Sequence, residues 1–201
     1  MKKKINLLII IMIANFLWYF VFNSSFFNFW LRLIIAVIVL NLMVLAYQDY
    51  NFSCGWFELG GGLFSAVILY FIFVVGKNLS GLIITGSRQQ IMNVYALKQE
   101  FNSAFIGGLL LIIGGGEELF WRGFFQKNLM QEFGAGLGYV IASLSYGLIH
   151  LWTGNIILLL AALTAGLFLV YLFLRTKSLT MVIISHIIWD VLVFIIFPLN
   201  F

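Results

Sequence analysis

Six ionisable side chains lie within or at the edge of long apolar runs, where charge is costly. A charged side chain at the centre of a bilayer costs roughly 2.5–3.5 kcal/mol on insertion scales, so such groups are rare unless they face one another inside a helical bundle. Both histidines of the chain belong to this set. We therefore predict that one polar site gathers its members. The set comprises Glu117, Glu118, Arg122, His150, His186 and Asp190.

The first group lies in residues 114–125, which read Gly-Gly-Gly-Glu-Glu-Leu-Phe-Trp-Arg-Gly-Phe-Phe. On a helix, Glu118 and Arg122 share one face, so they can neutralise each other as a structural ion pair. Glu117 is rotated from Glu118 by about 100° and points elsewhere. Gly114, three residues before Glu117, leaves room beside its carboxylate. The spacing predicts that Glu118 supports the fold and that Glu117 is free for chemistry.

Two further groups each place a histidine four residues from a polar partner. Tyr146 shares a helix face with His150 and can support or hydrogen-bond its imidazole. His186 and Asp190 have the same spacing, so Asp190 can orient the imidazole, or both can face one metal ion or water. Because the three groups fall on three different apolar runs, their coincidence predicts a shared site.

These residue types suit hydrolysis. Glu117 can act as a general base towards a water molecule. His150 and His186 can hold that water directly, or hold a divalent metal that lowers its pKa. The tentative metal ligands are Glu117, His150, His186 and Asp190, and two histidines with carboxylates suit zinc where one coordination position stays open. The sequence has no HExxH helix, so a zinc route and a metal-free route both stay open.

The elements that carry these residues belong to a very apolar chain. Of its 201 residues, 63% are hydrophobic and 9% are charged, and the mean hydropathy is +1.09. A soluble domain has about 25% charged residues, so the composition excludes a soluble enzyme, and it also excludes disorder, which requires low hydrophobicity. The net charge of +4 comes from scattered basic residues, which does not favour nucleic-acid binding. The lone cysteine, Cys54, excludes an internal disulfide and a multi-cysteine zinc site.

Six or seven continuous apolar runs can cross a bilayer as helices, and none shows the alternation of a membrane β-barrel. The predicted fold is an all-α, polytopic transmembrane helical bundle of about six to eight membrane helices. N-terminal helices and a polar connecting segment occupy residues 1–100, and a catalytic helical core occupies residues 101–201, within one integrated membrane domain. The polar stretch 77–100 is predicted to form a loop and a surface helix, or a lid beside the bundle. The runs are 5–22, 31–47, 62–76, 102–121, 139–153, 155–174 and 179–197.

Basic residues in the connections predict how the bundle lies in the membrane. With the N-terminus inside, six basic residues fall on the cytoplasmic side and four on the outside, which favours a cytoplasmic N-terminus. The first apolar run lacks a small-x-small cleavage site after it, so we expect it to stay uncleaved. The inside set is Lys2, Lys3, Lys4, Lys127, Arg175 and Lys177, and the outside set is Arg32, Lys77, Arg88 and Lys98.

Taken together, the three groups resemble the motifs of the CPBP family, the CAAX-protease and bacteriocin-processing intramembrane proteases, also called the ABI family. The segment EELFWRG at 117–123 is similar to the EExxxR motif of that family. Tyr146 to His150 resembles its FxxxH element, and His186 to Asp190 resembles its HxxxN/D element. The motifs also follow one another in the family's order.

The resemblance covers about residues 100–198, with three departures. Trp121 stands where the family usually has phenylalanine, Tyr146 replaces another phenylalanine, and Asp190 takes a position that is often asparagine. The resemblance implies hydrolysis of a peptide bond within or at the membrane. The implied substrate is a membrane protein or peptide, and the implied location is the bacterial plasma membrane. It implies nothing about the oligomeric state.

Three other functions fit parts of the pattern. An immunity or partner protein would bind a peptide or a membrane target, since members of the family are associated with bacteriocin loci. A lipoprotein-modifying enzyme could use the same scaffold for acyl transfer. A proton-coupled transporter could use buried Glu, His and Asp side chains as a relay, although the sequence has no repeated half.

Overall fold

The computed structural model of the chain describes residues 6–199, apart from the side chains of Gln99 and Glu100, and all its regular structure is helical. This confirms the all-α membrane bundle. Lys2, Lys3 and Lys4, used in the orientation argument, lie outside the described residues. Five helical stretches are long and apolar enough to cross a membrane: Phe29–Tyr47, Trp56–Ile83, Ser103–Thr153, Ile156–Thr176 and Leu179–Ile196.

The α-helices of this part of the chain are numbered in chain order. They are α1 Leu7–Asn23, α2 Phe29–Val44, α3 Trp56–Ile83, α4 Ser87–Ala96, α5 Ser103–Glu118, α6 Lys127–Leu148, α7 Ile156–Thr176 and α8 Leu179–Val191. Two π-helical segments extend α5 and α8, and short 3-10 segments follow α2, α4 and α6. The π-helical segments are Leu119–Gln126 and Leu192–Ile196, and the 3-10 segments are Leu45–Tyr47, Leu97–Glu100 and Ile149–Thr153.

Polar caps fix where five of the helices begin. The side chain of each cap accepts a hydrogen bond from a backbone N–H group of the first turn, which has no partner within the helix. Since apolar sequence alone does not define a helix end, these caps set the register in which the site residues face the interior. The capping residues are Asn6, Asn28, Asn102, Asn155 and Ser178.

The chain reverses within α6 at Gly134, whose backbone is non-helical with φ 81° and ψ 166°. The Tyr146 hydroxyl hydrogen-bonds to Glu117, 29 residues earlier, a separation of about 44 Å on a straight helix. A Cβ atom on Gly138 would lie 2.8 Å from the Cα atom of Met130, so the two arms pack closely. The long helical stretch therefore contains two antiparallel passes, as the separate apolar runs predict.

The polar stretch begins later than the sequence predicted. Helix α3 continues through Lys77 as far as Ile83 rather than ending near residue 76. The Ser80 hydroxyl donates to the Lys77 carbonyl at 2.8 Å, so its polar group is satisfied without leaving the helix. A turn with Gly86 at φ 78° then starts α4, which is the expected surface helix.

Close approaches at glycines bring α2 and α3 against α5 and α8, which carry site residues. A Cβ atom on Gly116 of α5 would overlap the Val37 side chain of α2, and Asn41 donates to the Gly116 carbonyl at 2.9 Å. A Cβ atom on Gly62 of α3 would lie 2.6 Å from Ile184 of α8. Small residues permit this packing between membrane helices.

Candidate active site

A π-helical segment follows the two adjacent glutamates at the C-terminal end of α5. Residues Leu119–Gln126 form this segment, and seven of them are buried. Such segments shift the register of the following side chains and occur frequently at functional sites. Here the shift lies between Glu118 and the helix that leads to Tyr146.

A cavity of about 140 Å³ brings the three sequence motifs together. Helix α5 contributes Glu117, α6 and the turn after it contribute Tyr146 and His150, and α8 contributes His186 and Asp190. The two carboxylates and His186 are each more than nine-tenths buried. The structure therefore places all four predicted catalytic residues on one cavity, while their catalytic roles stay predictions.

Glu118 contacts two residues, Arg122 and His186, rather than Arg122 alone. One of its oxygens, Oε1, accepts from the Arg122 guanidinium at 2.9 Å and from His186 Nδ1 at 2.6 Å. Glu118 and Arg122 are both fully buried. The expected ion pair is present, and Glu118 also hydrogen-bonds an imidazole of the site, which the spacing did not predict.

Arg122 makes a second contact with the site through the Tyr146 ring. Its guanidinium carbon lies 4.4 Å from the ring centroid, which is cation–π geometry. Among the described residues, Arg122 Nε and Nη2 have no hydrogen-bond partner. Arg122 is therefore held by one carboxylate and one aromatic face.

Asp190 does not orient His186 as the spacing suggested. The distance between Asp190 Oδ2 and His186 Nε2 is 3.7 Å, which is beyond hydrogen-bond range, whereas Glu118 holds the other ring nitrogen. Gly114 was expected to leave room beside the Glu117 carboxylate, but it lies beside Asp190 instead. A Cβ atom there would lie 3.4 Å from Asp190 Oδ2, so this glycine makes room for Asp190.

Tyr146 supports both Glu117 and His150, but through different atoms. Its hydroxyl donates to Glu117 Oε2 at 2.9 Å, so the side chain of Tyr146 hydrogen-bonds the carboxylate and not the imidazole. The imidazole is held by the backbone, since His150 Nδ1 lies 3.0 Å from the Tyr146 carbonyl oxygen. A carbonyl oxygen only accepts, so the proton of neutral His150 is on Nδ1, and Nε2 keeps its lone pair.

The sequence analysis missed the aromatic residues that close the cavity on its other side. Trp18 and Phe22 of α1 contact the His150 ring at centroid distances of 6.4 and 6.0 Å, and Phe29 and Trp30 of α2 also line the cavity. The four-residue spacing of Trp18 and Phe22 was a signal, but a chain with 22 phenylalanines hides it among lipid-facing rings.

A larger apolar groove of about 510 Å³ adjoins the cavity. It lies between α3, α4, α7 and α8, and five residues line both spaces. These are Val94, Leu158, Ala161, Trp189 and Phe194. Helix α4, from the polar stretch, is thus part of the wall between the groove and the site.

Two side chains of the polar stretch fasten it to the end of α8. Tyr95 donates to the Val193 carbonyl at 2.6 Å and accepts from the Leu199 N–H group at 2.8 Å. Lys98 donates to the Phe194 carbonyl at 2.8 Å. Burial raises the pKa of the Tyr95 phenol to about 12. These contacts hold the polar stretch against the end of α8.

The four predicted ligands do not form a metal site in this arrangement. Within residues 6–199, no three His, Cys, Asp or Glu side chains are grouped so that they could hold one ion. Both nitrogens of His186 face carboxylates, and His150 Nδ1 is taken by the Tyr146 carbonyl. Zinc binding therefore stays a prediction, and no step of the reaction is derived through it.

Comparison with known proteins identifies the segment that carries the site. Comparison with curated proteins gives no match, and neither does comparison with solved structures. Residues 99–192 match the family model described as Rce1-like, type II CAAX prenyl endopeptidase Rce1-like. The match includes all three motifs and supports an intramembrane protease activity in general terms. It confirms the resemblance to the CPBP family: over residues 99–192, this chain matches the CAAX proteases.

Proposed function

We propose that this protein is an intramembrane endopeptidase that hydrolyses a peptide bond of a membrane-associated protein or peptide. The observation that carries the proposal is the position of Glu117. It lines the same cavity as both imidazoles, and within the described residues its only hydrogen bond is the one from Tyr146 to Oε2. The other carboxylate oxygen is therefore available to a water molecule.

The reaction uses this water as the nucleophile. Glu117 takes a proton from it as general base, while the lone pair of His150 Nε2 accepts a hydrogen bond from its remaining O–H group. The hydroxide then attacks the carbonyl carbon of the substrate, and Glu117 passes the proton to the leaving amine. A cavity of about 140 Å³ has room for water, since one water molecule needs roughly 10–15 Å³ of such space.

His186 is the second imidazole that lines the cavity. Glu118 fixes its orientation through Nδ1, and the 3.7 Å between its Nε2 and Asp190 is a separation that a bridging water commonly fills. The contacts of His186 thus favour a role in lining the cavity with a polar group, with its ring held by Glu118 of α5.

The adjoining groove suits the apolar part of a substrate. Its lining is almost entirely apolar, and Val94, Trp189 and Phe194 form part of the wall that it shares with the catalytic cavity. Burial of apolar surface contributes about 25 cal/mol per Å². A membrane-associated substrate would therefore bind in the groove and present its peptide bond at Glu117.

The test compares peptide termini in cell membranes that contain the wild type or Glu117→Gln at equal abundance. Mass spectrometry is expected to find new termini in membrane proteins with the wild type and with Trp56→Phe, a control at a 90% exposed position, but not with Glu117→Gln. Identical termini in all three samples would overturn the proposal. A changed lipid mass without a peptide cut would indicate acyl transfer, and a cellular phenotype that survives in Glu117→Gln would indicate partner binding.

The same proposal includes a location in the bacterial plasma membrane with a cytoplasmic N-terminus. Cys54 is exposed in the connection between α2 and α3, and two crossings after the N-terminus it would face the cytoplasm. A membrane-impermeant maleimide should label it only after permeabilisation. In a Cys54→Ser background, Asn93→Cys on α4 should react in intact cells, and the reverse pattern would contradict the orientation.

A further inference from the structure

Helix α1 carries a polar stripe that faces a single residue of the catalytic half. Asn15, Tyr19 and Asn23 are spaced four residues apart, so they lie on one helix face. The indole N–H group of Trp152 donates to Asn15 Oδ1 at 2.9 Å, and Asn23 Nδ2 donates to the Trp152 carbonyl at 3.1 Å. Tyr19 packs edge-on against the Trp152 ring at 5.0 Å. We call Asn15, Asn23 and Trp152 the clasp.

The clasp satisfies polar groups that have few other partners. The Trp152 carbonyl lies in the last turn of a helical stretch, where carbonyls lack intrahelical partners. Asn15 and Asn23 belong to an otherwise apolar helix. Polar side chains that hydrogen-bond across helices hold membrane helices together. The clasp therefore fastens α1 to the turn that follows α6.

That turn is the one that carries His150. The 3-10 segment Ile149–Thr153 contains both His150 and Trp152. Within this segment, His150 Nδ1 donates a hydrogen bond to the Tyr146 carbonyl. On the adjacent face of α1, Trp18 and Phe22 contact the His150 ring. Helix α1 thus touches His150 directly and also fixes the backbone two residues further on.

We propose that the clasp is a positioning device for His150, which makes α1 part of the active site although it lies outside the segment that matches the family. It holds the turn in the geometry that keeps the proton on Nδ1, so that Nε2 accepts from the catalytic water. The catalytic importance of the clasp rests on the proposed hydrolysis, whereas its contacts do not depend on that proposal. Trp152 is here a positioning residue and does not touch substrate.

The test reads the tautomer of His150 in protein labelled with ¹⁵N-histidine. The chain has two histidines, and His186→Gln assigns their signals. The wild type and the Trp56→Phe control should show the Nδ1–H form of His150. Trp152→Phe, which keeps a ring but removes the donor, and Asn15→Leu, which removes the acceptor, should each show a mixture of the two tautomers. In the peptidase assay both should lower kcat by about 10- to 100-fold, with KM within about twofold.

Each other outcome bears on one proposal. An unchanged tautomer in folded Trp152→Phe or Asn15→Leu would overturn the positioning role of the clasp. Unfolding of both variants would assign the clasp to fold stability and would overturn it as well. A tautomer that shifts as expected in a protein without peptidase activity would leave the clasp standing and would refute the proposed function instead.

Discussion

The two sides of the candidate catalytic cavity differ in chemistry and in origin. The polar wall, made of Glu117, Tyr146, His186 and Asp190, comes from α5, α6 and α8 and lies within the segment that matches the family. The aromatic wall comes from α1 and α2, outside that segment. It is made of Trp18, Phe22, Phe29 and Trp30. His150 lies between the two walls and contacts residues of both.

The difference between the walls separates two physical requirements. The proposed hydrolysis requires titratable groups, and the polar wall contains them. The aromatic wall contributes apolar rings beside His150, and apolar surroundings strengthen polar interactions. Changes to the polar wall should therefore abolish activity or destabilise the fold. Changes outside this wall should have smaller effects on activity.

The two adjacent glutamates provide the largest expected effect. Glu117→Gln keeps the shape of the side chain but removes the base, so activity should fall by about 10²- to 10⁴-fold at normal abundance. Glu118→Gln instead weakens the partner of a buried guanidinium and an imidazole, so abundance should fall together with activity. Activity is measured as the peptidase rate, and abundance as the amount of the protein in the membrane fraction. Equal behaviour of both variants would contradict the distinction between the glutamates.

Arg122→Leu tests whether the ion pair is structural. Removing one partner of a buried pair typically costs about 3–5 kcal/mol, because the other charge is left uncompensated, and Arg122 and Glu118 are fully buried. We expect low abundance and a lower thermal unfolding midpoint in detergent. Arg122→Lys keeps the charge and serves as the control. A stable, abundant Arg122→Leu protein without activity would show that Arg122 acts in the chemistry.

Tyr146→Phe removes only the hydrogen bond to Glu117. The ring that faces Arg122 and the carbonyl that accepts from His150 are kept. A hydrogen bond to a charged group contributes about 1.5–3 kcal/mol, so kcat should fall by about 10- to 150-fold without loss of folded protein. An unchanged kcat would mean that Tyr146 contributes packing alone.

The sequence predicted the polar wall better than the aromatic wall. Ionisable residues in apolar runs are costly, so their presence at positions such as His150 and Asp190 requires a shared interior. The i, i+4 rule also predicted the contact between Glu118 and Arg122. It could not predict that Glu118 bonds to His186, 68 residues away, because spacing describes neighbours on one helix and not the packing between helices.

The same limit explains the other differences. Apolar composition defines that helices cross the membrane but not where they end, so α3 was expected to be shorter than it is. Aromatic residues of α1 look the same in sequence whether they face lipid or a cavity. The reversal at Gly134 was implied by two separate apolar runs, and its position became clear only from the backbone.

Tyr95→Phe should have the smallest effect, since it changes the contact between α4 and the end of α8 and leaves both walls of the cavity intact. The variant leaves the Val193 carbonyl and the Leu199 N–H group without their partner, and α4 should loosen beside the groove, raising KM by a few-fold while kcat is kept. The pKa of Tyr95 is raised to about 12, so its contribution to stability is present below about pH 10 and is lost as the pH rises through 12. The thermal midpoint of the wild type should therefore fall between pH 10 and 12 more steeply than that of Tyr95→Phe. Parallel pH profiles would show that Tyr95 is not buried against the end of α8, and the lid would then be free to open.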